Sequence, residues 1–157
     1  MTQTRTDQRE GGWSRPIVRA AARGTIASMS MSGLRQMTTA LGLVASTPPE
    51  SVIERTAPGA FHRIPAERRA AVVEAVHCLY GTAGGAFFGV LPRAVRGRPW
   101  AGPVYGVLFW AGFELAIAPA LGLPRQPNTA KERLALLADH LLYGAVVAAS
   151  PWPHHDR

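Results

Sequence analysis

From Ala75 to Pro92 the chain runs for 18 residues without an Asp, Glu, Lys or Arg. A block that long and that apolar reaches the length at which a helix can cross the hydrocarbon of a bilayer. Part of it is written twice. His77, Tyr80 and Gly81 have counterparts 63 residues on, at His140, Tyr143 and Gly144. A second echo lies upstream of each copy, Ala40-Leu41-Gly42-Leu43 and Ala120-Leu121-Gly122-Leu123. Two echoes in the same order read as a duplicated helical hairpin. The expected fold is therefore all-α: a polytopic membrane protein with four transmembrane helices, built as two tandem, parallel hairpin repeats about an axis along the membrane normal. Ala40 to His77 is 37 residues and Ala120 to His140 is 20, so the first connector carries an insertion of 17.

Taken in order, residues 1–16 lack apolar periodicity, hold Gly11-Gly12 and are expected to be a disordered basic tail. The region does not have the order of parts of a signal peptide. The transmembrane domain, 17–150, has spans at about 17–45, 70–91, 103–123 and 134–150, and 151–157 form a C-terminal tail. Pro48-Pro49 should end the first span. Gly24, Ser28 and Ser32 place small residues on one face of it, and Gly81, Gly85 and Gly89 do the same in the second. In water such glycines weaken a helix by about 1 kcal/mol each. In lipid the same spacing lets backbones approach closely, so Gly81, Gly85, Gly89 and, in the second copy, Gly144 are candidate packing positions. The connector between the first two spans holds two helix-compatible pieces, one over 49–55 and one starting at Pro65. Pro119 is expected to kink the far end of the third span.

The net charge is +7 and the isoelectric point about 11.0. Such a balance can mark a nucleic-acid binder, but here the basic residues lie between apolar blocks and are not gathered on one face or tail. The mean hydropathy of +0.03 averages apolar blocks with polar connectors. The turn Arg93-Ala-Val-Arg96-Gly-Arg98-Pro-Trp100 has the basic and aromatic content of a cytoplasmic loop beside headgroups. With residues 1–23, this turn and the C-terminal tail on that side, nine Arg face the cytoplasm against seven Arg or Lys in the other connectors. One cysteine, Cys78, excludes an internal disulfide and a cysteine zinc cluster, and reads as a small buried side chain. His154-His155 lie in a solvated tail.

Six ionisable residues fall inside apolar blocks: Arg35, Glu74, His77, Glu114, Asp139 and His140. Each costs at least ~2.5 kcal/mol at mid-bilayer if unpaired, so burial inside the bundle is expected. Counting from the span ends at 1.5 Å per residue puts Arg35, Glu114, His77 and His140 at roughly 12–13 Å depth. Asp139 lies close to that layer, and Glu74 one turn shallower. If the layer is structural, Arg35–Glu114 is the expected central ion pair. If it is functional, it is a protonatable ion or proton site. No catalytic nucleophile motif, phosphate loop, cofactor fingerprint or metal signature is present.

Several of these stretches together resemble the YagU-like family of uncharacterised bacterial inner-membrane proteins and its actinobacterial relatives. The resemblance runs from His77 to Ala149: a His-led apolar helix, Pro92-Arg93, a Gly-rich aromatic helix with Gly102, Gly106 and Trp110, Pro119 to Pro124, and His140 to Gly144. Glu114 departs from the His expected in that family's third span. The resemblance implies a multi-pass protein of the bacterial cytoplasmic membrane, with no reaction attached. The chain is thus expected to be a non-enzymatic, structural or stress-related membrane protein. The alternative is an oligomeric transporter or an ion- or proton-conducting unit. Its partners would be the lipid bilayer and a second copy of itself, with no nucleic acid, cofactor, metal or identified small-molecule ligand.

Overall fold

In the computed structural model, residues 4–42, 48–123 and 130–149 are described. Among them there is no strand, and eight α-helices and one π-helical turn follow one another. These are α1 (Thr4–Ala40), α2 (Pro48–Thr56), α3 (Pro58–Arg63), α4 (Ala66–Val90), α5 (Arg93–Arg96), α6 (Ala101–Gly112), a π-helical turn over Phe113–Ile117, α7 (Ala118–Ala120) and α8 (Ala130–Ala148). Two segments are long and apolar enough to cross a membrane, Ala66–Val90 and Ala101–Ala120. α1 and α8, expected as spans one and four, do not meet that measure: polar residues interrupt the first, and Lys131, Glu132, Arg133 and Asp139 the second.

The N-terminal region departs from expectation. α1 begins at Thr4 and runs through Gly11-Gly12 and Pro16, so the backbone expected to be disordered is helical. Lack of apolar periodicity argues against packing, not against a helix, and Gln8, Arg9 and Glu10 are good helix formers. Its 37 residues make it about 55 Å long. It also stops earlier than Pro48-Pro49 would require. Gly42 takes a left-handed φ of 68°, and its N–H bonds the Thr39 carbonyl at 2.9 Å. Gly122 does the same at φ 60°, bonding Pro119, while Leu123 N–H reaches back to Ala118. The Ala-Leu-Gly-Leu echo is therefore a helix stop. Glycine supplies the left-handed residue that returns free N–H groups to the last turn's carbonyls.

Short helices occupy the connector. α2 and α3 cover the first expected piece and extend beyond it, and Pro65 caps α4 with Glu67 in its first turn. They are anchored by Ile53 and Phe61, both buried, with the Arg69 guanidinium 5.4 Å from the Phe61 ring centroid. Arg55 Nε donates to the Leu121 carbonyl at 3.0 Å, and Arg96 Nε to that of Leu91 at 2.8 Å. Each places a cation at the negative end of a helix.

The long helices meet through glycine. α1 packs on α4 and α8, and α6 packs on α8. A Cβ at Gly85 would overlap the Ala20 carbonyl oxygen and stand 2.8 Å from Gly24 Cα. One at Gly89 would stand 2.7 Å from Ile17 Cα, and one at Gly81 would overlap Ser28 Oγ. In the other pair, a Cβ at Gly144 would overlap the Gly102 carbonyl, and one at Gly106 the His140 carbonyl. The candidate packing glycines thus all lie against a neighbouring helix. Gly24 and Ser28 complete the α1 face, and Thr25 bonds Thr82 across it at 2.7 Å. Gly85→Leu and Gly106→Leu should each destabilise the protein by at least ~1–3 kcal/mol, since overpacking forces the backbones apart. Gly33, with nothing within 4 Å of its Cβ position, should tolerate Ala or gain up to about 1 kcal/mol. Denaturant unfolding in detergent micelles, followed by circular dichroism, measures all three.

Candidate functional site

The interior is polar at one level of the bundle. Ser28, Arg35, His77 and Asp139 are all buried, with Asp139 only 2% exposed. α1 contributes Ser32 and Arg35, α4 contributes Glu74, His77 and Cys78, and α8 contributes Asp139 and His140. Ser32 and Arg35 lie one turn apart on α1, as do Glu74 and Cys78 on α4. Two helices crossing on glycine bring these short side chains within bonding reach.

Two groups of contacts result. In the first, Ser32 Oγ donates to the Glu74 carboxylate, 2.7 Å from one oxygen and 2.8 Å from the other. The same Ser32 oxygen lies 3.1 Å from His77 Nδ1, and the Cys78 thiol points at Glu74 over 3.6 Å. His77 Nδ1 is itself 3.9 Å from the Glu74 carboxylate. In the second, Arg35 Nε faces Asp139 Oδ2 at 3.7 Å. Arg35 Nε and Asp139 Oδ1 are buried without a hydrogen-bond partner among the described residues, so the pair is held by charge.

The pairing of Arg35 differs from the expected Arg35–Glu114. Depth was counted along the helix axes, but direction around the axis decides which groups meet. Asp139 lies on the side of α8 that packs on α1. Glu114 is half-buried on the π-helical turn and takes no part in an ion pair among the described residues. The π turn also accounts for Pro119. The Ala118 N–H reaches back five residues to the Phe113 carbonyl, so the chain absorbs the missing proline donor by widening one turn. His140 stands apart from the Ser32 group: its Nδ1–H donates to its own helix, at Leu136 O, over 2.8 Å. His154-His155 lie outside the described residues, and no group of three His, Cys, Asp or Glu among the described residues is arranged to hold a metal.

Beside the polar level lies an aromatic stack that the sequence reading missed. Phe109 is flanked by the two motif tyrosines, Tyr80 at 4.9 Å and Tyr143 at 5.1 Å between ring centroids. Tyr143 Oη donates to the Gly81 carbonyl at 2.5 Å, and Tyr105 Oη to that of Gly84 at 2.6 Å. Each glycine exposes its carbonyl to a neighbour's hydroxyl, which satisfies the buried phenols. The signal was present in the repeated His-x-x-Tyr-Gly: its tyrosine touches Phe109 in both copies and its glycine takes the close helix contact.

Breaking the buried pair from one side strands the other charge. Asp139→Ala should destabilise by about 3–5 kcal/mol. Arg35→Met combined with Asp139→Leu should lose much less than the two single changes added together. Unfolding of the three variants in micelles gives the coupling.

No curated protein and no solved structure matches the chain. A family profile does, over residues 14–151, which takes in α1 from Ser14 onward, α4, the α6–α7 segment, α8 and every residue of the polar cluster. The chain belongs to DUF6789, a family of unknown function.

Proposed function

We propose that the chain is an integral membrane protein, a four-span bundle in which α1, α4, the α6–α7 segment and α8 cross the bilayer. The single observation behind this reading is the inversion of polarity between inside and outside. Leu79, Phe87, Leu108, Leu115 and Leu134 are 63–75% exposed, while Arg35, Asp139, His77 and Ser28 are enclosed. Only 28% and 17% of the two most apolar helical windows are buried, whereas a soluble core helix would hide most of such a surface. Hydrocarbon around the bundle gives the exposed side chains an apolar surrounding, and the bundle interior gives the polar ones partners.

The reading continues to topology. The two hairpins, α1 with α4 and α6–α7 with α8, form parallel repeats, each opened by a helix with the glycine stop and closed by one with His-x-x-Tyr-Gly. Both termini and the α5 turn face the cytoplasm, as Arg93, Arg96, Arg98 and exposed Trp100 favour. The role is structural or stress-related, in the bacterial cytoplasmic membrane, in keeping with the YagU-like resemblance. A second reading, a proton-handling or conducting unit, draws on one feature: Glu74 is bonded to Ser32 and lies 3.9 Å from the enclosed His77, yet its side chain is 47% exposed.

Cell fractionation checks the membrane reading. The protein should stay in the pellet through carbonate and high-salt washes, and release by either wash would end the reading. Cysteines introduced at Ser51 and Gly97 should react with an impermeant reagent from opposite sides; reaction from one side would remove the four-span topology.

A further inference from the structure

The contacts around Ser32 have a direction. A hydroxyl carries one proton, and Ser32 Oγ sits at 2.7 and 2.8 Å from the two oxygens of Glu74. Its proton therefore goes to the carboxylate. The remaining close partner, His77 Nδ1 at 3.1 Å, can then only donate to the Ser32 oxygen. The three groups form a chain of donors running His77 to Ser32 to Glu74. One end is enclosed, with the His77 side chain 9% exposed, and the other is open, with that of Glu74 47% exposed. This is not a hydrolytic triad. The serine proton faces the carboxylate and not the imidazole, so no base is placed to activate the hydroxyl through histidine.

We propose that Ser32 is the bridge of a proton relay, by which the enclosed His77 exchanges its proton with the surroundings through Glu74. The step balances. Imidazolium Nδ1 gives its proton to Ser32 Oγ as Ser32 gives its own to Glu74. Charged histidine and carboxylate become neutral histidine and carboxylic acid, and Glu74 then releases the proton outside. Uptake runs in reverse. The charges that reach His77 are Glu74 on its own helix, Arg35 on α1 and His140 on α8. Arg35 is engaged by Asp139, and His140 Nδ1 by its own backbone, so neither replaces Ser32 as the bridge. The inference deepens the second reading above. A relay without net proton flux through liposomes would end conduction as a function and leave the relay standing.

The test is the exchange of the His77 ring N–H with water, followed by NMR on the full chain with labelled histidine in micelles. Ser32→Ala should slow that exchange about a hundredfold or more, the size of effect lost with one proton-transferring group, and Ser32→Thr should restore it. Glu74→Gln, which keeps the shape but cannot take up the proton, should slow it as much. Thr25→Val, which removes the Thr25–Thr82 bond from the same helix interface, should leave it unchanged. Unaltered exchange in Glu74→Gln overturns the relay, even if Ser32→Ala fails to fold. Equal slowing in Thr25→Val also overturns it, because the effect would then be loosened packing.

Discussion

At Gly85 and Gly106 two helix backbones come so close that a single methyl group would overlap a carbonyl oxygen of the neighbour. Everything else in the structure depends on that approach. Serine has a reach of one bond beyond Cβ, so Ser32 meets Glu74 only because α1 and α4 touch at Gly24, Gly81 and Gly85. Tyr143 reaches the Gly81 carbonyl past Gly84, where a Cβ would stand 2.6 Å from its hydroxyl. A bundle held by Leu–Leu contacts would set helix axes at the usual 8–10 Å. Hydroxyls and carboxylates of this length would then face each other across a gap.

On the membrane reading, the polarity of the bundle follows from what surrounds it. Where hydrocarbon replaces water, burying a leucine brings no hydrophobic gain, and association rests on van der Waals contact and on hydrogen bonds that have no solvent competitor. The interior of this protein has that character: glycine on glycine, threonine on threonine, a charged pair, and phenols bonded to helix carbonyls. A small apolar cluster with Met31, Phe88 and Val147 is enclosed beside them, and most of the large aliphatic side chains are on the outside. On the membrane reading, one physical rule accounts for both surfaces. A soluble reading would need a second protein to cover the exposed apolar faces of α4 and α6.

The helices, and the glycines that join them, were legible in the sequence, because a charge-free block and a four-residue glycine spacing are one-dimensional signals. Ala-Leu-Gly-Leu was legible as a repeat but not as what it is, since a left-handed helix stop looks in sequence like any small-residue turn. The six ionisable residues were legible as candidates, and four of them, Arg35, Glu74, His77 and Asp139, meet in the two contact groups. Their partners were not legible. Axial depth can be counted from span ends, but Arg35 chose Asp139 over Glu114 through helix rotation, and the extra residue in the π turn shifts Glu114 further. The Ser32 contact was hidden because serine in a small-residue stripe reads as packing. The helical start of α1 was missed because polar sequence was equated with disorder.

The central claim is that the exposed apolar faces of α4 and of the α6–α7 segment lie against lipid. Nitroxide labels at Phe87→Cys, Leu108→Cys and Leu115→Cys, in protein reconstituted into liposomes, report this directly by electron paramagnetic resonance. The account predicts that all three labels collide with dissolved oxygen far more often than with a water-soluble nickel complex. Preferential collision with the nickel complex at all three positions would contradict it and place these faces in water.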